Sequence, residues 1–184
     1  MKTLLLPALL SFALASVLAA QTCREVVRDA SGRIVQTIDR QKSAGGTVQA
    51  TTRDASGRII GTATTRPNAG GSAQTNYRDA SGRITGSAST QPTTGASSRT
   101  TYRDASGRLA GSADTRTGSG TATNTQYRDA SGRLTGSSAT SGSSSGSFSG
   151  TQRDASGRMT GSSTGSGKCQ GTAVVPVPPP GAKR

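Results

Sequence analysis

The chain has 184 residues, 30% of them hydrophobic and 3% aromatic, with 22 basic against 9 acidic side chains, a net charge of +13 and no histidine. So small a supply of large apolar side chains excludes a conventional thick core, and two cysteines without histidine exclude a zinc centre and imidazole acid–base chemistry. The arginine surplus points instead to acidic partners.

Residues 1–20 read as a signal peptide. Lys2 supplies the positive start, an apolar run extends from Leu4 to Leu18, and Ala19-Ala20 offers small residues for cleavage. The run is short for a spanning helix and no second apolar segment follows, so the mature chain is expected to be secreted, periplasmic or held at the cell surface. Residues 21–40 form an N-terminal cap and the first motif. Here Ile34-Gln36-Ile38 replaces the aliphatic-Gly-Ala pattern of later copies, as terminal repeats of arrays commonly do.

The organising stretch is Arg-Asp-Ala-Ser-Gly-Arg. It occurs unchanged at 28–33, 53–58, 78–83, 103–108, 128–133 and 153–158, always 25 residues apart. Residues 41–166 hold repeats two to six. A disordered spacer has no physical need for so strict a period. Asp-Ala-Ser-Gly has turn chemistry, with an Asp able to bond nearby backbone N–H groups and a Gly able to take positive φ. Strand-like residues flank it, so each motif reads as the tip of a β-hairpin. The predicted fold is all-β: six 25-residue hairpins, up to twelve short strands, stacked as a meander or a β-solenoid.

Cross-strand partners share a face. A four-residue Asp-Ala-Ser-Gly loop pairs Tyr77 with Ile84, Tyr102 with Leu109 and Tyr127 with Leu134, and at the ends Thr52 with Ile59 and Gln152 with Met159. A three-residue loop would place Ile84 opposite Arg78 instead. Keeping the apolar residues together favours the four-residue loop. In that register Arg78 also faces Arg83 on the side away from Tyr77, and each copy repeats the arrangement as a ladder of arginine pairs. Beyond its aliphatic residue the second strand is small (Ile84-Gly86-Ala88), which lets another backbone layer approach closely.

The residues 167–184 form a Cys-containing and proline-rich tail, with Val174 to Pro180 extended as polyproline. Cys23 and Cys169 bracket the array. In an oxidising compartment they are disulfide candidates. Joined to each other they would stabilise the fold by about 4–5 kcal/mol in chain-entropy terms, but bonded Cα atoms lie within about 7 Å, so that bond requires a closed array or a tail that folds back. Pairing between molecules is the alternative.

The stretch Tyr77-Arg78-Asp79-Ala80-Ser81-Gly82-Arg83-Ile84, with its Tyr102 and Tyr127 counterparts, resembles the tyrosine–aspartate (YD) repeats of Rhs-type bacterial surface proteins. Those carry a Tyr-Asp-x-x-Gly-Arg-Leu core in β-hairpins that wind into shells. Here an Arg stands between Tyr and Asp, and the array is too small to enclose a cargo. The resemblance implies extracellular β-hairpin repeats; no catalytic residue carries over.

The six motifs contribute twelve Arg and six Asp, a net +6 of the +13. The expected binding surface comprises Arg53, Arg58, Arg78, Arg83, Arg103, Arg108, Arg128 and Arg133. Its ligands would be acidic polysaccharide, lipopolysaccharide, teichoic acid or extracellular DNA. The competing reading is that motif Arg and Asp pair with each other along the sheet. No enzyme is expected and no cofactor: the carboxylates are mostly turn Asp residues held ionised beside Arg, and the serines lack a base. Two other readings remain, an amyloid-like matrix subunit that self-associates through flat Ser/Thr/Gly strands, and an ice-binding protein using Thr/Ser rows.

Overall fold

The computed structural model describes residues 21–143 and 146–167. The signal segment, Cys169 and the proline-rich run lie outside the described residues. The rest is all-β: β1 (Gln21–Asp29), β2 (Ile34–Lys42), β3 (Val48–Asp54), β4 (Ile59–Pro67), β5 (Ala73–Asp79), β6 (Ile84–Thr93), β7 (Ser97–Asp104), β8 (Leu109–Thr117), β9 (Thr123–Asp129), β10 (Leu134–Gly142), β11 (Phe148–Asp154) and β12 (Met159–Gly167). One short 3-10 turn over Ala69–Gly71 is the single helical element among the described residues. Each strand pairs antiparallel with the next in sequence, and β1 pairs with β12, so the meander closes into a barrel. Of the two stackings open to the sequence, the meander is the one adopted.

The motif builds all six odd-to-even connections the same way. The Gly N–H donates to the Asp carbonyl at 3.0 Å, and the Asp N–H donates to the carbonyl of the second Arg at 2.9–3.0 Å. The motif glycines sit at φ between 80° and 85°, a left-handed conformation that only Gly takes at little cost. This is a three-residue Ala-Ser-Gly loop, a type I turn closed by a Gly bulge.

The four-residue loop favoured on sequence grounds is therefore not the one formed. Arg78 faces Ile84, and a second irregularity at Thr85 then brings Tyr77 opposite Gly86. The same shift sets Tyr102 against Gly111, Tyr127 against Gly136, Thr52 against Gly61 and Gln152 against Gly161. The physical reason is local. The shorter loop satisfies backbone N–H groups of the turn, and the shift places Gly86, Gly111 and Gly136 where a Cβ would meet the carbonyl of the next hairpin's first motif Arg at 2.5 Å. In consequence Ile59, Ile84, Leu109, Leu134 and Met159 leave the core and stand 41–52% exposed.

Tyr77, Ala88, Tyr102 and Ala113 form one buried cluster, with Ala63 and Tyr127 packed against it. Each ring faces a Gly on its own hairpin and an Ala on the preceding one: Ala63, Ala88 and Ala113 oppose Tyr77, Tyr102 and Tyr127. An aromatic ring laid over small neighbours recovers contact area that a glycine strand otherwise lacks. Val27, Ile38 and Ala50 form a second cluster. Inward threonines join consecutive hairpins through hydroxyl contacts, Thr65 with Thr75 at 2.8 Å, Thr90 with Thr100 at 2.8 Å and Thr115 with Thr125 at 2.9 Å. An ion pair between Arg40 and Glu25, 2.7 Å apart, is buried in the same interior.

Closure follows from register. Ala50 opposes Ala63, which opposes Tyr77, two residues beyond the position one period after Ala50. Every repeat climbs by the same two residues, so six repeats return the ring to β1 with a shear equal to its strand number. That ratio matches the eight-stranded parallel barrel, whose strands tilt by about 36°. With strands about 4.8 Å apart, a circular twelve-stranded ring of that tilt is about 23 Å across.

The observed register separates two substitutions that the four-residue loop would have made alike. Tyr102→Ala is expected to cost roughly 3–5 kcal/mol, as removal of a buried ring does, whereas Leu109→Ala should cost less than about 1 kcal/mol, being at a half-exposed site. Equilibrium denaturation of the two variants measures the difference, and equal losses would contradict the register.

Candidate functional site

Because the period is constant and the strands alternate, all six motif turns lie at one end of the barrel. The longer connections, Ser43–Thr47 among them, and Gln21 and Gly167 lie at the other. The turn end is thus a rim of six equivalent tips.

The aspartates are held within their own turns. Oδ1 of Asp29 accepts the backbone N–H of Ser31 at 2.9 Å, the Ser31 hydroxyl at 2.7 Å and the Arg33 N–H at 3.0 Å. Asp54, Asp79 and Asp129 repeat all three contacts, and Asp104 and Asp154 the two backbone ones. The serine hydroxyl is the chief reason why the carboxyls of Asp29, Asp54, Asp79 and Asp129 lie below the ordinary carboxylate range; the backbone donors add to it, and the charge of the second Arg adds least.

The two arginines of each motif have different surroundings. Nη1 of the first (Arg28, Arg53, Arg78, Arg103, Arg128, Arg153) donates to the motif Gly carbonyl at 2.7–3.1 Å, bracing the turn. These residues face outward, opposite Thr37, Thr62, Ser87, Ser112, Ser137 or Ser162 of the neighbouring hairpin. An outer belt therefore alternates guanidinium and hydroxyl round the barrel. The second arginines (Arg33, Arg58, Arg83, Arg108, Arg133, Arg158) are all exposed at the tips. Among the described residues none of their side chains makes a hydrogen bond or an ion pair within 4 Å.

The paired ladder expected from the sequence is thus rearranged. Arg78 stands opposite Ile84, and Arg83 opposite Asp79, which its carbonyl and N–H both contact. The same holds for Arg53 with Arg58, Arg103 with Arg108 and Arg128 with Arg133. The result is two concentric sets, one bracing and one unengaged. Among the described residues no motif Arg forms an ion pair with a motif Asp, so the two do not cancel by contact. Arg53 reaches Asp39 at 3.8 Å, and the remaining surface pairs, Arg24–Asp39 and Arg99–Asp114, lie outside the motif.

Sequence reasoning missed the aliphatic part of this rim. Among the described residues, every large hydrophobic residue that stands exposed (Ile34, Val35, Ile59, Ile60, Ile84, Leu109, Leu134, Met159) lies one or two positions after a motif. The signal was present as an unvarying Arg-aliphatic pair, but face assignment depended on the bulge. No group of His, Cys, Asp or Glu among the described residues is arranged to hold a metal ion. Comparison with known proteins adds no relative: no family model, curated protein or solved structure matches the chain.

The turn carboxylates tie stability to pH. Their folded pKa values are lowered, so their contribution is complete above the unfolded carboxylate value of about 3.9 and is lost as pH falls toward the folded values. The denaturation midpoint should be flat between about pH 7 and 5 and fall below about pH 4. A triple variant, Asp54→Asn with Asp79→Asn and Asp129→Asn, should be less stable at neutral pH and show a shallower acid limb. An unchanged acid limb would show that other carboxyls set it.

Proposed function

We propose that this is a secreted structural or adhesive β-repeat protein whose arginine rim holds polyanionic surface or matrix polymers, namely acidic polysaccharide, lipopolysaccharide or extracellular DNA. One observation carries the reading: six exposed guanidinium groups, each with its donors unengaged, recur at equal intervals on one rim. A guanidinium offers a fork of N–H donors matched to carboxylate, sulfate or phosphate. Six of them round one ring act as linked weak sites, which raises avidity for a polymer that spans several. The wall supports an aqueous setting, since its outward residues include Gln49, Thr51, Thr64, Gln74, Asn76 and Ser89, whereas a membrane-spanning barrel carries an apolar outer band. Assembly through strand edges has less support, because every strand from β1 to β12 is paired on both sides. An ice-binding face has less support too, because hydroxyl rows on this curved wall alternate with arginine.

The ring form also bears on the cysteines. We propose that Cys23 and Cys169 join within one molecule and lock the seam. Cys23 is buried and lies opposite Gly167 where β12 meets β1, and Cys169 follows two residues later in sequence. Closure removes the distance that an open array would impose. No cysteine among the described residues is free.

Two experiments test these readings. Arg58→Gln, Arg83→Gln and Arg108→Gln together should lower affinity for a soluble polyuronate and flatten its salt dependence, because fewer counterions are released on binding. Lys42→Gln, Arg66→Gln and Arg116→Gln change net charge equally but spare the rim, and should have the smaller effect. Equal losses would reduce the rim to excess charge. For the seam, the mature monomer should migrate faster without reductant, and reduction should lower its Tm; two alkylatable thiols in the untreated protein would refute the bond.

A further inference from the structure

The eight exposed apolar residues on the rim are unexplained by binding to a hydrophilic polymer. This chain is poor in large apolar side chains, and its interior is filled mostly by Ala, Gly, Thr and Tyr, with Val27, Ile38 and Val48 in the first hairpins. Yet each copy places one aliphatic residue outside, immediately after the exposed arginine, and the first two copies place two. The opposite rim has no exposed large hydrophobic residue among those described. Burying such groups against an apolar phase is favourable in proportion to area, so the collar favours a partner that offers hydrocarbon as well as negative charge.

We propose that the rim docks on the surface of an anionic lipid bilayer, the arginines engaging headgroups and the aliphatic collar entering the headgroup–acyl boundary. This rests on the polyanion reading above and names its partner. The tip residues Ala, Ser and Gly are small, and the collar begins two residues behind the Gly, about 7 Å along the strand. That is comparable with the ~5–10 Å to which interfacial apolar faces sink. The six sites share one end of the barrel, so all can meet a surface together. A second copy of the chain is the poorer occupant, because two such rims would oppose six exposed arginines to six. A hydrophilic polyanion leaves the collar in water.

The test uses the mature protein, vesicles of phosphatidylcholine with and without phosphatidylglycerol, and soluble polyuronate. Wild type should sediment with the anionic vesicles and not with pure phosphatidylcholine. The collar variant, Ile59→Thr, Ile84→Thr, Leu109→Thr and Leu134→Thr together, should lose on the order of tenfold in vesicle partition while keeping polyuronate affinity within about twofold, because its arginines remain. The chain has no tryptophan, so Leu109→Trp in an otherwise unchanged protein gives an independent reading. Its emission should shift to the blue and be quenched by brominated acyl chains on anionic vesicles, and stay unshifted with polyuronate. Full vesicle binding by the collar variant, or an unshifted tryptophan on bound vesicles, would overturn bilayer docking and leave the polyanion reading standing. Failure of wild type to bind either vesicles or polyuronate would overturn both.

Discussion

The carboxylate at the head of each turn sets the inside and the outside of this barrel. By accepting the N–H groups of the serine and of the second arginine, it fixes a loop of three residues rather than four. With the glycine left-handed and a bulge one step further on, the tyrosine turns inward over glycine while the aliphatic residue turns outward beside arginine. A local hydrogen-bonding preference, repeated six times, thus decides which side chains form the core and which form the rim. Hydrophobic pairing alone would choose the other arrangement. It loses because the turn's donors must be satisfied in every copy, whereas the aliphatic residue is only one group per repeat.

Closure is the second consequence of repetition. A climb of two residues per hairpin is small, but it is the same in every copy, so the sixth hairpin arrives in register with the first. Pairing β1 with β12 removes both free edges, which is the liability of an open sheet rich in Ser, Thr and Gly. It also gives every repeat the same neighbours. β1 and β2 take ordinary places in the ring, and Ile38 supplies in the first hairpin part of the bulk that tyrosines supply elsewhere.

Interior and rim divide the chemistry between them. The interior uses small residues, hydroxyl pairs, three tyrosines and one buried ion pair between Glu25 and Arg40. Burial raises the pKa of the Tyr77, Tyr102 and Tyr127 hydroxyls, so they stay neutral at any physiological pH. Charge that can engage a partner is therefore displaced to the surface, and the six second arginines concentrate it at one end. The first arginines serve the turn, through the glycine carbonyl, before they serve any ligand.

The sequence by itself determined the repeat, its turns, the all-β class, twelve strands and the excess of arginine. Strict spacing of an Asp-Ala-Ser-Gly turn between strand-forming residues encodes those locally. It did not determine the register within a hairpin, because three- and four-residue loops are both compatible with the motif and differ only in bonds to Asp and in a bulge beside Gly86 or Gly111. That single step exchanged Ile84 and Leu109 between core and surface and dissolved the arginine pairs. Nor did it determine closure. Whether ends separated by the whole array meet depends on a sum of small register shifts, which no local stretch contains. Only tertiary structure could show that Cys23 stands opposite Gly167, and that one rim carries arginine and aliphatic residues together.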